Sequence, residues 1–142
     1  MSIHKSSAKW HGNLPEGNGT MIVGGGAWEG NFSFKSRFED GKGTSPEELI
    51  AAAHSGCFSM AFSHALHEAG FKPISVETEA AAKLEQVDGG FAITEIKLTS
   101  KGKAEGVDEK KFKEIAMEAK DNCPVSQALK GVKITLDITM LD

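Results

Sequence analysis

A single apolar segment constrains what this 142-residue chain can fold into more than any other feature. Residues 49–69, LIAAAHSGCFSMAFSHALHEA, carry apolar groups around most of the circumference that a helix would present. A helix of this kind belongs in the middle of a protein rather than on its surface. In so short a chain, dimerisation is the easiest way to surround it.

The start of this helix is well specified. Ser45 is predicted as the N-cap, Pro46 suits the first helical position, and Glu48 completes an S-x-x-E capping box. Glu47 also lies in the first turn, where a solvated carboxylate that interacts with the helix dipole is a sufficient explanation for it. Gly70 is expected to cap the C-terminal end.

Alternating and glycine-bounded segments on either side of the helix predict strands. In 30–39, GNFSFKSRFE, three phenylalanines alternate with polar residues, which places Arg37 on the face opposite to them. A second helix is predicted over 109–122 behind the N-cap Asp108, and a short third helix follows Cys123. The strands are predicted at 17–26, 30–39, 74–87, 91–102 and 132–140.

The order of these elements indicates the fold class. Strands come first, followed by the buried helix, two strands joined by a hairpin at Asp88-Gly89-Gly90, further helices and a last strand. Glycines between the early strands suit the turns of an antiparallel meander, and GGGAWEG is better explained as a hairpin loop than as a phosphate-binding loop. We therefore predict one α+β domain over residues 1–142.

Composition narrows the class of protein. Hydrophobic residues make up 39% and charged residues 25% of the chain, as in ordinary globular proteins. The net charge of −4 and the lack of a basic stripe argue against nucleic acid and anionic membranes as partners. No signal-peptide stretch or membrane span is evident, so we expect a cytoplasmic protein, a setting in which stable structural disulfides are rare.

The chain has two cysteines, Cys57 and Cys123, and several uses for them stay open at this point. Composition alone favours reduced core residues over chemistry. Cys123 directly precedes Pro124, so its sulfur would lie at a helix N-terminus, where a thiolate is favoured. Cys57 follows Ser55-Gly56, a pair that can interrupt the helix and create a second such N-terminus. In an unbroken helix, Glu47 and Cys57 would be about 15 Å apart along the axis, so they would share a site only across a break or between subunits.

Metal binding is the competing use of these side chains. His64 and His67 lie three residues apart on the same predicted helix as Cys57, so three donors would lie near one face. There is no CxxC or HExxH spacing, and helix-face packing or hydrogen bonding explains both histidines more simply. A serine hydrolase is disfavoured because no G-x-S-x-G occurs.

Three blocks of the sequence resemble one known family. FKSRFEDGKGTSPEELIAAAHSGCFSMAF, GFKPISVETEA and NCPVSQALKG are similar to blocks of the osmotically inducible protein C (OsmC) family, a sister of the organic hydroperoxide resistance proteins. The resemblance runs in order over essentially the whole chain. Its most specific part is T-S-P-E-E-L, a cysteine ten residues after the first glutamate, and a second cysteine in N-C-P-V-S. RFEDGKGT resembles the osmotically inducible branch more than the hydroperoxide-resistance branch.

The resemblance implies a thiol peroxidase, a peroxiredoxin-like enzyme that reduces organic hydroperoxides to alcohols in oxidative and osmotic stress. By motif, Cys57 is similar to the peroxidatic cysteine of the family and Cys123 to its resolving cysteine, with which it would form a disulfide. Arg37 matches the catalytic arginine, and Glu47, rather than Glu48, matches the acid that holds it. Such an arginine can stabilise a thiolate, and a bidentate pair with the carboxylate would fix its direction.

The resemblance also implies an assembly and a reductant. The family fold is an intertwined homodimer in which antiparallel sheets wrap two central apolar helices, with active sites at the subunit interface. No bound cofactor or metal is implied, and an external dithiol, such as a lipoyl group or another thiol, serves as the reductant. The alternative function is a non-catalytic binding module for a lipid-like ligand, switched by oxidation of the two thiols.

Overall fold

The computed structural model describes all residues from Met1 to Asp142. They form two compact units, Met1–Leu49 and Ile50–Asp142. Four α-helices and two three-stranded sheets make up the chain, which confirms the predicted α+β class. The expectation of one domain over 1–142 stays a prediction.

The first unit is built on an antiparallel meander with the order β1-β2-β3. A short 3-10 turn at Gly24–Gly26 joins the second and third strands, so the GGGAWEG segment serves as a hairpin loop, as predicted. The strands are β1 (Ser6–His11), β2 (Asn18–Val23) and β3 (Trp28–Phe32).

The prediction of a strand over 30–39 is wrong beyond Phe32, because Phe34–Phe38 form a short helix, α1. Ser33 and Ser36 bond reciprocally: the Ser36 N–H donates to Ser33 Oγ over 3.2 Å, and the Ser33 N–H donates to Ser36 Oγ over 2.8 Å. This capping box starts a helix where the alternation of phenylalanines suggests a strand. Arg37 therefore lies in the last turn of α1. Its guanidinium carbon is 5.2 Å from the centre of the Phe38 ring, so the prediction that Arg37 lies on the strand face opposite to the phenylalanines is wrong.

A tight return connects α1 to the next helix. The Thr44 N–H donates to the Asn31 carbonyl over 2.8 Å, which returns the chain to the end of β3. Gly43 makes this possible: its φ is +112°, and a Cβ there would lie 2.5 Å from the Asn31 carbonyl oxygen. The return delivers Ser45 and Glu47, both buried, beside α1.

The long apolar helix, α2 (Pro46–Glu68), begins and ends as predicted within two residues. Ser45 Oγ accepts the Glu48 N–H over 3.1 Å at its start. At its end, Gly70 has a φ of +92°, its N–H donates to the His67 carbonyl, and the Phe71 N–H donates to the Leu66 carbonyl. α2 is long and apolar enough to span a membrane, but the core helix of a soluble protein meets the same two criteria.

The suggested interruption of α2 at Ser55-Gly56 is not observed. The helix continues through both residues, and Ser55 Oγ donates to the Ala51 carbonyl over 2.9 Å, which satisfies the hydroxyl without opening the helix. Cys57 therefore lies in the helix interior and has no local N-terminus of its own.

The second unit contains a mixed sheet with the order β4-β5-β6. Asp88-Gly89 form the two-residue loop of the predicted hairpin, with Gly89 at a φ of +88°. The last strand pairs with β5 in parallel, since helices carry the chain back before it enters the sheet. The elements after α2 are β4 (Lys72–Val87), β5 (Gly90–Glu105), α3 (Glu109–Asn122), α4 (Pro124–Ala128) and β6 (Lys133–Met140).

The core of this unit joins α2, α3 and the sheet. Phe62 lies at its centre, with its ring 5.7 Å from Phe58 in a stacked arrangement and 4.9 Å from Phe112 edge-on. Asp108 caps α3 as predicted by accepting the Lys111 N–H. The buried face of α3 consists of the four residues that the sequence indicates: Phe112, Ile115, Ala116 and Ala119.

Candidate active site

The two cysteines, 66 positions apart in the sequence, meet in the fold: Cys123 Sγ lies 2.8 Å from Cys57 Sγ. Both are free thiols. Cys57 is partly exposed on α2, whereas Cys123 is fully buried between α3 and α4. The pair is close enough to form a disulfide bond without moving either helix far.

The backbone around Cys123 holds its sulfur in this position. Its N–H donates to the Ala119 carbonyl at the end of α3, and its carbonyl accepts the Gln127 N–H in α4. Its side chain makes no capping bond, so the sulfur is left to contact Cys57. Pro124 follows at the first position of α4, as the sequence predicts.

The surroundings of Cys57 within this unit favour the neutral thiol. Burial raises the pKa of Cys57, and the neighbouring Cys123 sulfur raises it further. The backbone N–H of Val125, in the first turn of α4, acts in the opposite direction by bonding to the Cys57 sulfur. A thiolate at position 57 therefore needs a further source of positive charge.

An ion pair forms between the two predicted charged residues of the first unit. The Nε–H of Arg37 donates to Glu47 Oε1 over 2.8 Å. The contact is a single bond through Nε rather than the two-bond fork that we expected, so the two terminal amino groups of the guanidinium stay available to another group. The Glu47 side chain is buried and that of Arg37 is 37% exposed, which leaves the arginine accessible at the surface of the unit.

The structure separates the two adjacent glutamates. Glu48 is exposed, and its backbone N–H is bonded to the N-cap. Glu47 is buried and holds Arg37, while its second oxygen, Oε2, has no hydrogen-bond partner within the chain. Glu47 is therefore better explained as the partner of Arg37 than as a solvated carboxylate at the helix dipole.

A cavity of about 250 Å³ lies next to Arg37 in the first unit. Its wall is mostly aromatic and its one charged residue is the arginine. It is lined by Trp10, Leu14, Phe32, Ser33, Phe34, Arg37 and Phe38.

One buried polar pair was missed by sequence reasoning. His54, fully buried on α2, has its Nε2 atom 2.7 Å from Ser126 Oγ on α4. Burial lowers the pKa of His54. His54 comes three residues before Cys57 and Ser126 three residues after Cys123, so the spacing indicates this pair only once the contact between the cysteines is known.

The histidines considered as metal ligands lie elsewhere on α2. His64 and His67 are both exposed. No group of three or more His, Cys, Asp or Glu side chains is arranged to hold a metal ion.

Comparisons with known proteins agree with the resemblance. The family described as OsmC-like protein matches residues 39–137. Peroxiredoxin OsmC of Escherichia coli (strain K12) is 50% identical over 139 residues, which is 96% of either chain. Organic hydroperoxide resistance protein OhrB of Bacillus subtilis (strain 168) is 32% identical over 98 residues, covering 68% of this chain and 70% of that one. The crystal structure of Bacillus subtilis OhrB superposes with a TM-score of 0.73 at 24% identity, covering 97% of this chain and 100% of that one.

The family assignment rests on the sequence matches, and the fold agrees with it. The matched region includes Glu47, Cys57 and Cys123, and the identity of 50% extends over nearly the full length. The chain belongs to the OsmC family.

Proposed function

We propose that this protein is a thiol-dependent peroxidase that reduces organic hydroperoxides to alcohols. The observation that carries the proposal is the pair of free thiols 2.8 Å apart, one partly exposed and the other fully buried. A partly exposed thiol can meet a peroxide, and burial shields its partner from direct attack by peroxide, so that the partner stays available to form a disulfide with the sulfenic acid. The names of the relatives, a peroxiredoxin and an organic hydroperoxide resistance protein, support the same activity.

The reaction has three steps. The Cys57 thiolate attacks the terminal oxygen of ROOH, the O–O bond breaks, and the alkoxide takes a proton and leaves as the alcohol, which converts Cys57 into a sulfenic acid. The Cys123 thiol then attacks that sulfur, so a disulfide forms and the sulfenic oxygen leaves as water. An external dithiol, of the lipoyl type or another, reduces the disulfide by two exchange reactions.

Arg37 supplies the positive charge that Cys57 requires, and Glu47 fixes the direction of the guanidinium. Support comes from the ion pair through Nε, which leaves the terminal amino groups for a thiolate and a peroxide oxygen. Burial of Glu47 supports the role of an orienting group, because a buried carboxylate holds one geometry. The aromatic cavity beside Arg37 favours an organic hydroperoxide over hydrogen peroxide.

Homodimerisation through α2 completes the proposal. One side of this apolar helix is exposed in the single chain and carries small residues together with Met60, whose exposure is 76%. A second copy would cover this side, since large exposed apolar side chains on a central helix mark an interface. The location that we propose is the cytoplasm, where the thiols stay reduced between turnovers.

The test is intact mass spectrometry after one equivalent of cumene hydroperoxide. We expect the loss of two hydrogens and a Cys57–Cys123 cross-link in the peptide map. With excess dithiol, hydroperoxide should be consumed over many turnovers, Cys57→Ser should abolish consumption, and Cys123→Ser should react once and then stall or over-oxidise. An unchanged mass in the wild-type protein, or full turnover by Cys57→Ser, contradicts the proposal.

A further inference from the structure

The hydrogen bond between His54 and Ser126 lies next to the thiol pair and has no role in the peroxidase steps described above. His54 is fully buried, and its Nε2 is 2.7 Å from Ser126 Oγ. Ser126 itself is 6% exposed. A short hydrogen bond between two buried side chains so close to reacting atoms calls for a physical explanation.

The His54–Ser126 contact and the Cys57–Cys123 contact both join α2 to the start of α4. On α2, His54 and Cys57 are three residues apart, and the same interval separates Cys123 from Ser126 at the start of α4. His54 contacts Ser126 and Cys57 contacts Cys123, so the two chain segments run in opposite directions. One helical turn separates the two contacts. The His54–Ser126 contact therefore lies where it can influence the separation of the two sulfurs.

The His54–Ser126 contact is one of the bonds that attach the short helix α4 to its neighbours. This helix has only five residues, Pro124–Ala128, and Ser126 is its one buried residue. Two of its residues bond to α2: Ser126 contacts His54 through its hydroxyl, and Val125 bonds through its N–H to the Cys57 sulfur, which is a weaker acceptor than an oxygen or nitrogen atom. A helix of five residues has little stability of its own and takes its position from such attachments.

The state of His54 suits a permanent hydrogen bond. Its Nδ1 atom is buried and has no partner within the chain, so the neutral tautomer with its hydrogen on Nε2 places the only ring N–H in the bond to Ser126. Burial keeps the ring neutral by lowering its pKa. The contact is thus a hydrogen bond between two neutral side chains.

We propose that His54 and Ser126 are positioning residues that hold α4 against α2, so that Cys123 captures the Cys57 sulfenic acid before a second peroxide does. This inference rests on the proposed peroxidase function for its biological meaning. The claim that the contact gives Cys123 a high effective concentration toward Cys57 can be tested without any peroxide. The balance of the disulfide reaction is simple: the dithiol and one glutathione disulfide give the protein disulfide and two molecules of glutathione.

The decisive experiment measures that effective concentration by equilibrating the full-length protein in glutathione redox buffers and counting reduced and cross-linked protein by mass. We expect Ser126→Ala and His54→Leu each to lower it by about tenfold, the effect of losing one buried hydrogen bond. His54→Gln should retain it within about threefold, since the Gln amide can still donate to Ser126. The His54→Leu, Ser126→Ala double variant should be no worse than either single variant, because both remove the same bond.

The matched control is Ser100→Ala. Ser100 is a buried hydroxyl of the same unit, bonded to Thr78 and to the Glu77 carbonyl on the sheet, so its loss affects stability without touching α4. We expect the control to keep the wild-type effective concentration.

A second readout tests the consequence under turnover. With repeated cumene hydroperoxide and limiting dithiol, Ser126→Ala should accumulate several times more Cys57 sulfinic acid than wild type or Ser100→Ala. An effective concentration within about twofold of wild type in both Ser126→Ala and His54→Leu, together with an unchanged sulfinic fraction in Ser126→Ala, would overturn the positioning role. If the wild-type protein fails to consume hydroperoxide, the proposed function is lost, but the redox-buffer measurement still decides whether the contact holds the thiols together.

Discussion

The Nε atom of Arg37 lies 2.8 Å from Oε1 of Glu47, and the carboxylate is buried while the guanidinium reaches the surface of its unit. The buried acid holds the Nε atom of the guanidinium, so the two terminal amino groups are not used in this bond. The pair is more than an exposed surface ion pair, which would contribute little and would hold no fixed direction.

The first prediction concerns this orientation. Glu47→Gln keeps an oxygen that can accept from Arg37 but removes the charge that holds the guanidinium. We expect the oxidation of Cys57 by cumene hydroperoxide to slow by about tenfold to a hundredfold, because a small misplacement of a positioning group lowers the rate on this scale. Stopped-flow kinetics of a single turnover measures it.

The control for this variant is its neighbour. Glu48 lies in the same helical turn but is exposed, so Glu48→Gln removes an equal charge from the same place in the sequence. Its rate should stay within about twofold of wild type, as expected for a change at the surface. Equal rates in the two variants would show that Glu47 does not orient a catalytic group.

The second prediction concerns the acidity of Cys57. Burial and the Cys123 sulfur raise the pKa of this thiol, so a cation has to offset both effects for the thiolate to exist at neutral pH. In a Cys123→Ala background, with one thiol left, Arg37→Met should move the midpoint of iodoacetamide alkylation upward by about one pH unit or more. Lys35→Met, which removes an exposed cation from the same helix α1, should leave the midpoint in place. A midpoint that does not respond to Arg37→Met rules out the guanidinium as the partner of the thiolate.

The elements that sequence analysis predicts correctly are those fixed by local interactions. Asp108 caps α3 because a carboxylate three residues before a backbone N–H suffices, and Asp88-Gly89 makes a hairpin because glycine accepts the positive φ. The failure at 33–39 is also local: Phe34 and Phe38 suit a helix face as well as a strand, and the Ser33–Ser36 capping box decides between them. The alternation of phenylalanines and polar residues does not by itself show whether the segment forms a helix or a strand.

The site could not be assembled from periodicity. Cys57 and Cys123 are 66 positions apart, and their contact depends on where α4 lies against α2, a tertiary relationship that only the family resemblance suggests. His54 looks like one more residue of an apolar helix until its contact with Ser126 is seen. The parallel pairing of β6 is likewise hidden, because a strand pattern has no direction.

The third prediction concerns the proposed dimer. Met60→Glu places a charge on the exposed side of α2, where a second copy would have to bury it. The dissociation constant of the dimer should therefore rise by at least about a hundredfold. Light scattering on a sizing column should then give the monomer mass of 15.1 kDa instead of twice that value. Met117→Glu, at a 42% exposed methionine of α3, is the matched control and should leave the mass of the wild type unchanged. A monomeric wild-type protein contradicts the dimer.

The basis of the last prediction is that His54 is buried in its neutral form. Its polar partner on α4 is the Ser126 hydroxyl, and the titratable groups one turn away on the two helices are Cys57 and Cys123. Burial lowers the pKa of His54 below the value of about 6.5 that it has in the unfolded chain. The folded state is therefore fully stabilised above that value, and stability is lost as the pH falls toward the lowered pKa, because only the unfolded state binds the proton.

We expect the free energy of unfolding, measured by urea denaturation under reducing conditions, to fall between pH 7 and pH 5 with a contribution from His54 of up to about 1.4 kcal/mol per pH unit. His54→Gln should remove this contribution while keeping a donor for Ser126, so its stability should depend less steeply on pH. His64→Gln removes an exposed histidine from the same helix and should keep the wild-type slope. Identical slopes in wild type and His54→Gln would mean that the buried ring accepts a proton as readily as in the unfolded chain. The neutral state that we assign to the buried His54 ring would then be wrong.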